Sequence, residues 1–111
     1  MADLINVAEG MAPVDATETV SSIWFNLGNA SRVRASVWTD VALSAVTLEQ
    51  SDTGLDDDVH WSTPGTIETP GGGSAVAFDV ARVWQFARLT VVNGAFDQTV
   101  LKAYLYGAEE V

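Results

Sequence analysis

Cysteine is absent from this chain, and basic residues are scarce, with 5 Lys and Arg against 15 Asp and Glu. Without cysteine, the chain can form neither disulfides nor thiolate metal sites. Nucleic acids and anionic membrane surfaces attract clusters of Lys and Arg, whereas the basic residues here are few and scattered. The net charge of -10 therefore predicts no nucleic-acid partner and no membrane partner. Such acidity favours solubility, or a basic partner.

Long apolar runs are also missing. No stretch approaches the roughly 20 residues of a membrane span, and the first residues lack the basic segment and apolar stretch of a secretory signal. We therefore expect synthesis and folding in a cytoplasm. A length of 111 residues with 48% hydrophobic residues predicts one domain, residues 1–111, with one core.

Strand patterns extend along most of the chain. Apolar and polar residues alternate over 31–38, 42–50 and 74–80, and residues 17–27 are rich in β-branched and aromatic side chains. Residues 1–13 are interpreted as an N-terminal arm or edge strand, and residues 51–73, rich in Asp, Gly and Pro, as a long loop. These patterns predict an all-β fold, a single antiparallel β-sandwich or jelly roll of about seven or eight strands.

The clearest pattern lies in the last quarter, where residues 84–94 and 95–106 are predicted to form two long strands around a turn, with residues 95–98 lengthening the connection. Asn93 and Gly94 are residues that accept positive φ in such turns. The predicted inward side chains are Leu89, Val91, Leu101, Ala103 and Leu105. The opposite parity is unusually apolar for an outer face, which indicates a contact surface; its members are Trp84, Phe86, Val92, Val100, Tyr104 and Tyr106. A slipped register would place these side chains in the core instead.

Catalytic chemistry has little support in the sequence. His60 is the single histidine, and it lies near three aspartates and Ser62. A catalytic histidine needs an orienting carboxylate and usually a nucleophile, and no G-x-S-x-G turn presents a serine here. His60 is therefore interpreted as a half-exposed loop residue, and the chain is predicted not to be an enzyme.

An acidic run suggests calcium, which prefers several oxygen ligands. The run lacks the spacing of an EF-hand loop, so solvated loop acids are the first interpretation and no metal or cofactor is predicted. Calcium stays an alternative, with the candidate ligands Asp52, Asp56, Asp57 and Asp58. Four tryptophans are open to two interpretations, core or loop anchors and platforms for sugar stacking; they are Trp24, Trp38, Trp61 and Trp84.

Two segments carry a resemblance to a known group of proteins. Residues 86–94, Phe-Ala-Arg-Leu-Thr-Val-Val-Asn-Gly, followed by Gln98-Thr99, resemble the closing hairpin of β-sandwich modules in virion proteins of tailed bacteriophages. Residues 46–54, Val-Thr-Leu-Glu-Gln-Ser-Asp-Thr-Gly, look like an upstream strand of the same modules.

This resemblance implies a structural role in a virion. Such modules occur in tail and baseplate components and in head decoration proteins. A single module without a fibrous extension favours a capsid decoration (cement) protein on the capsid surface, bound to the major capsid protein lattice as a homo-oligomer, most plausibly a trimer. The alternative is a carbohydrate-binding or receptor-binding module of a phage tail or baseplate.

Overall fold

The computed structural model describes residues 5–6 and 15–108, which form two antiparallel β-sheets packed face to face. The strands, in chain order, are β1 (Ile5–Asn6), β2 (Thr19–Ser21), β3 (Phe25–Asn26), β4 (Arg32–Thr39), β5 (Leu43–Ser51), β6 (Trp61–Pro64), β7 (Ser74–Ala81), β8 (Phe86–Asn93) and β9 (Leu101–Ala108). In this described part of the chain, no helix is long and apolar enough to cross a membrane. The predicted all-β class and the β-sandwich are confirmed.

The strand order is that of a jelly roll. One sheet has the order β1-β9-β4-β7, and the other has the order β2-β8-β5-β6, with β3 also beside β8. Since β2 and β3 pair with different parts of β8 on the same edge, they act as one interrupted edge strand. With β2 and β3 counted as one strand, β5 and β6 are the only consecutive described strands that lie in one sheet, and every other connection crosses between the sheets.

The predicted closing pair does not form, because β8 and β9 lie in different sheets. β8 pairs with β5, and β9 pairs with β4. The predicted inward side chains are nevertheless inward: four are fully buried, and Leu101 is partly buried against the core. For β8 and β9, alternation identifies the buried face correctly, but it carries no information on which strand is the neighbour.

The turn at Asn93 and Gly94 also differs from the prediction. Neither residue has positive φ. Gly94 is needed for a close approach instead, because a Cβ there would overlap the backbone oxygen of Ala42. The side-chain amide of Asn93 donates to the backbone oxygen of Phe96 at 2.7 Å, and Gln98 donates to Asn93 at 3.3 Å. The residues that carried the phage resemblance therefore build the crossing from one sheet to the other.

β5 contains an irregularity that the sequence pattern does not show. The alternation over 42–50 predicts one inward face for Ala42, Ser44, Val46 and Leu48. Val46 and Leu48 are buried, whereas Ala42 and Ser44 are exposed. The pairing with β8 shifts register just after Leu43, which places Leu43 in the core. The extra residue reverses the parity at the start of the strand.

The segment 51–73 is not one continuous loop. It contains the edge strand β6, paired with the second half of β5, and a 3₁₀ turn at Pro70–Gly72. Further along this segment, Glu68 forms an isolated bridge with Ala75. At the other end of the chain, Ile5–Asn6 pairs with β9 as an edge strand. The rest of the predicted arm lies outside the described residues.

Candidate binding face

The outer face of the sheet formed by β2, β3, β8, β5 and β6 is covered by the chain itself, and we call it the covered face. Arg88 projects from β8 and is only 11% exposed; its guanidinium pairs with Glu49 at 2.9 Å and with Asp56 at 2.8 Å. The ring of Trp24 lies over Arg88, 4.4 Å from its guanidinium carbon, and the Trp24 indole N–H donates to Asp56 at 3.0 Å. Gly54 of the same loop lies against Phe86. Around Arg88, this face is therefore occupied by contacts within the chain.

These contacts also locate the four aspartates proposed as calcium ligands. Asp56 is engaged with Arg88 and Trp24, and Asp58 accepts a hydrogen bond from the Thr53 hydroxyl. That hydrogen bond, together with the nearby His60, lowers the pKa of the Asp58 carboxyl. Asp52 and Asp57 are exposed, and the part of the chain that the structure describes shows no group of three or more acidic or histidine side chains that could hold a metal ion.

His60 has protein partners that account for its position. Its imidazole stacks on Trp84 with ring centroids 4.5 Å apart, and its Nε2 lies 2.6 Å from Asp58. Thr53 contacts the carboxylate rather than the imidazole, so the hydroxyl is not placed as a nucleophile beside the base. The arrangement anchors the loop after β5 on the turn before β8.

The structure does not bring the predicted interface residues together. Phe86 and Val92 lie on the covered face, and Trp84 lies under His60 in the preceding turn. Val100 is exposed in the crossing before β9. Tyr104 and Tyr106 share the outer face of the opposite sheet. The single apolar patch expected from sequence parity therefore splits over two sides of the molecule, because β8 and β9 belong to different sheets.

The second outer face, formed by β9, β4 and β7, is the open face. Three cross-strand rows define it: Lys102, Trp38 and Ala75; Tyr104, Ser36 and Ala77; Tyr106, Arg34 and Asp79. Trp38 is 41% exposed, and Ser36 and Ala77 are also exposed within the described structure. Tyr106 lies four positions beyond Lys102 on β9, so the two ends of the face lie about 13 Å apart at roughly 3.3 Å per residue.

A groove of about 460 Å³ occupies the Trp38 end of the open face. Its shape follows from side-chain size: β7 presents only Ala75 and Ala77 where β4 presents Trp38. The segment from Thr66 to Glu68 forms the far wall, held to β7 by the bridge between Glu68 and Ala75. The volume lies within the range of small-molecule sites, about 300–1,000 Å³.

Lys102 in this groove differs from the arginines of the chain. Arg32 and Arg34 pair with Asp79, Arg88 pairs with Glu49 and Asp56, and Arg82 donates to Gln85. Lys102 forms no ion pair with any described residue, and its ammonium lies 5.8 Å from the centroid of the Trp38 ring. The groove thus combines an exposed aromatic ring with a cation that contacts the face of this ring and has no ion-pair partner among the described residues.

The sequence held one signal for this site. Val33, Ala35 and Val37 of β4 are buried, so alternation places Trp38 on the outer side. The alanines opposite it are brought alongside only by the pairing of β4 with β7. Since that pairing joins distant parts of the chain, the groove itself could not be predicted from local patterns.

Comparisons with known proteins identify the fold. No family model and no curated protein matches the chain. The PBSX exported protein XepA superposes with a TM-score of 0.67 at 22% identity, and the match covers 100% of this chain and 38% of XepA. The chain therefore spans well under half of the XepA length, and the likeness establishes a shared fold.

Two further solved structures match at lower scores. A Bacillus endospore appendage protein of disulfide-linked pili has a TM-score of 0.43 at 13% identity, covering 99% of this chain and 88% of that protein. A family 6 carbohydrate-binding module has a TM-score of 0.46 at 9% identity, covering 98% and 82%. Scores this low identify neither a shared fold nor a shared function.

Proposed function

We propose that this chain is a non-enzymatic structural module of a tailed-phage virion, and that it acts as a capsid decoration protein. In this role it binds the major capsid protein lattice on the capsid surface as a homo-oligomer, a trimer in our proposal. Many copies attached to a repeating shell gain avidity, so each single contact can be weak. The phage resemblance of residues 86–94 and the structural match to an exported protein of PBSX support the same general assignment.

The observation that carries the proposal is the difference between the two outer faces. The covered face satisfies its own polar groups around Arg88, whereas the open face presents the half-buried rings of Tyr104 and Tyr106. Exposed apolar side chains gain about 25 cal/mol for each Å² removed from water. We assign lattice attachment to the Tyr106 end of the open face, where Asp79 and its arginine partners add charge for orientation.

The contacts of His60 support a non-catalytic role for the chain. Its imidazole is held between Trp84 and Asp58, and its contacts include no nucleophile among the described residues. The His60→Ala variant should therefore retain lattice binding. An assayable hydrolysis that is lost in this variant would contradict the non-enzymatic assignment.

The test is co-sedimentation of the purified chain with capsid shells that lack it, together with analytical ultracentrifugation of the chain alone. Tyr106→Glu should weaken co-sedimentation at least tenfold while the melting temperature stays near that of the wild type. Leu55→Glu is the matched control, because Leu55 is 59% exposed on the loop that covers the opposite face. The proposal would be refuted if the chain stays monomeric and does not co-sediment with capsid shells. It would also be refuted if the two variants weaken co-sedimentation equally.

A further inference from the structure

We propose that the groove at the Trp38 end of the open face binds a neutral pyranose sugar, with the sugar ring stacked on Trp38. Such a site goes beyond lattice attachment and does not depend on it. A virion surface protein with this site would hold a saccharide as well as a shell.

The aromatic wall of the groove suits a sugar ring. Trp38 stands on a strand whose other outward residues are Ser36 and two arginines, and it keeps 41% of its surface exposed. A pyranose presents a flat face of C–H groups, which carry partial positive charge, and the face of an aromatic ring carries negative potential. The small side chains of Ala75 and Ala77 leave the space beside Trp38 that the sugar ring would occupy.

The polar groups of the groove select a ligand with many hydroxyls. Lys102 supplies a donor, Glu68 supplies an acceptor, and the hydroxyls of Ser36, Thr66 and Tyr104 can do both. None of these side-chain groups is hydrogen-bonded to another described residue. A purely apolar ligand would bury them without partners, which costs free energy.

The charges of the groove favour a neutral sugar over an anionic ligand. Lys102 is a single cation, and Glu68 lies on the opposite wall of the same groove. The net charge of -10 adds a repulsive field for anions around the molecule. A sugar hydroxyl can accept from Lys102 and donate to Glu68 without introducing a further charge.

Trp61 provides an internal comparison. It is exposed to the same extent as Trp38, at 41%. Its indole N–H, however, donates to Thr63 on the edge strand β6, and it does not line the groove. The structure therefore separates two tryptophans that sequence reasoning treated alike.

The experiment is an NMR titration of the full chain that follows the indole N–H signals of its four tryptophans. The probes are glucose, galactose, N-acetylglucosamine, rhamnose, maltose and lactose at millimolar concentrations, with glucuronic acid as the charged comparison. We expect at least one neutral sugar to shift the Trp38 signal in a saturable way and to leave the Trp61 signal unchanged. Trp38→Ala should weaken that binding at least tenfold, and Trp61→Ala should leave it within twofold.

A second variant keeps the test independent of the tryptophan itself. Ala77→Phe fills the groove from its exposed floor without removing a polar group, so it should abolish binding with little change in melting temperature. Absence of any sugar-dependent shift of Trp38, or undiminished binding by Ala77→Phe, would overturn the assignment. A preference for glucuronic acid would overturn the choice of a neutral sugar. Capsid co-sedimentation of Trp38→Ala, expected to be unchanged, separates a failure here from a failure of lattice binding.

Discussion

Asp40 and Thr99 connect the end of β4 to the start of β9. The Asp40 carboxylate accepts the hydroxyl of Thr99 and its backbone N–H at 3.1 Å, and it also accepts the backbone N–H of Val100 at 3.1 Å. The Thr99 hydroxyl, followed by the N–H of Val100, lowers the pKa of the Asp40 carboxyl. These hydrogen bonds hold the residues just before β9 against the end of β4, where the chain enters the sheet of the open face.

Asp40→Asn should therefore lower the melting temperature at neutral pH. Because the pKa of Asp40 is lower in the folded state, the unfolded state binds the proton more readily, and the contribution to stability is present above the usual aspartate range. It should be lost as the pH falls below about 4. Thermal unfolding between pH 3 and 7 checks this: the difference between wild type and variant should shrink towards pH 3. Asp57→Asn, at an exposed loop position, is the control, and an equal loss in both variants would contradict the prediction.

Core substitutions should follow burial rather than strand pattern. Leu105 is fully buried, whereas Leu101 of the same strand is only partly buried. Leu105→Ala should cost about 2–5 kcal/mol of unfolding free energy because it opens a cavity, and Leu101→Ala should cost less than about 2 kcal/mol. Urea unfolding of both variants measures the difference. Equal costs would mean that the two ends of β9 are packed alike.

The part of the fold that could be predicted from the sequence is which face of most strands is buried. The alternation in β4 and the buried Leu89, Val91 and Ala103 follow from period-two patterns. The neighbour of each strand was not accessible, because the same alternation fits a hairpin and a crossing between sheets. The reversal of parity after Leu43 depends on a bulge that no local residue type predicts. The groove beside Trp38 required the pairing of two distant strands.

Gly94 should tolerate no side chain, whereas Gly28 should tolerate asparagine. Gly94→Ala places a Cβ against the backbone oxygen of Ala42 and should cost about 1–3 kcal/mol. Gly28 has φ of +59° with open space around it, and asparagine accepts this conformation. Gly28→Asn should therefore be close to neutral in urea unfolding. A neutral Gly94→Ala would show that the crossing before β9 adjusts freely.

Calcium should not stabilise the chain. Asp56 and Asp58 are held by Arg88 and Thr53, and Asp52 and Asp57 do not join them in a cluster. A ligand that binds only the folded state raises the melting temperature. Differential scanning fluorimetry with millimolar CaCl₂ and with a chelator should give the same melting temperature. A rise with calcium that Asp56→Asn removes would restore the metal interpretation.

Replacement of Arg88 should lower the stability of the chain through the covered face, without changing the binding surface on the open face. The side chain of Arg88 is 11% exposed and that of Glu49 is 15% exposed, so Arg88→Met leaves a largely buried carboxylate without its cationic partner. Hydrogen bonds to charged groups contribute about 1.5–3 kcal/mol, and we expect a loss of that order. The double variant Arg88→Met with Glu49→Gln should recover part of the loss, because the unpaired charge is then removed. A double-mutant cycle by urea unfolding gives the coupling energy, and additive single effects would contradict a direct pair.

At a temperature where Arg88→Met is folded, its capsid co-sedimentation should match the wild type, since attachment is assigned to the Tyr106 end of the opposite sheet. A loss of attachment in the folded Arg88→Met chain would move the contact surface to the covered face.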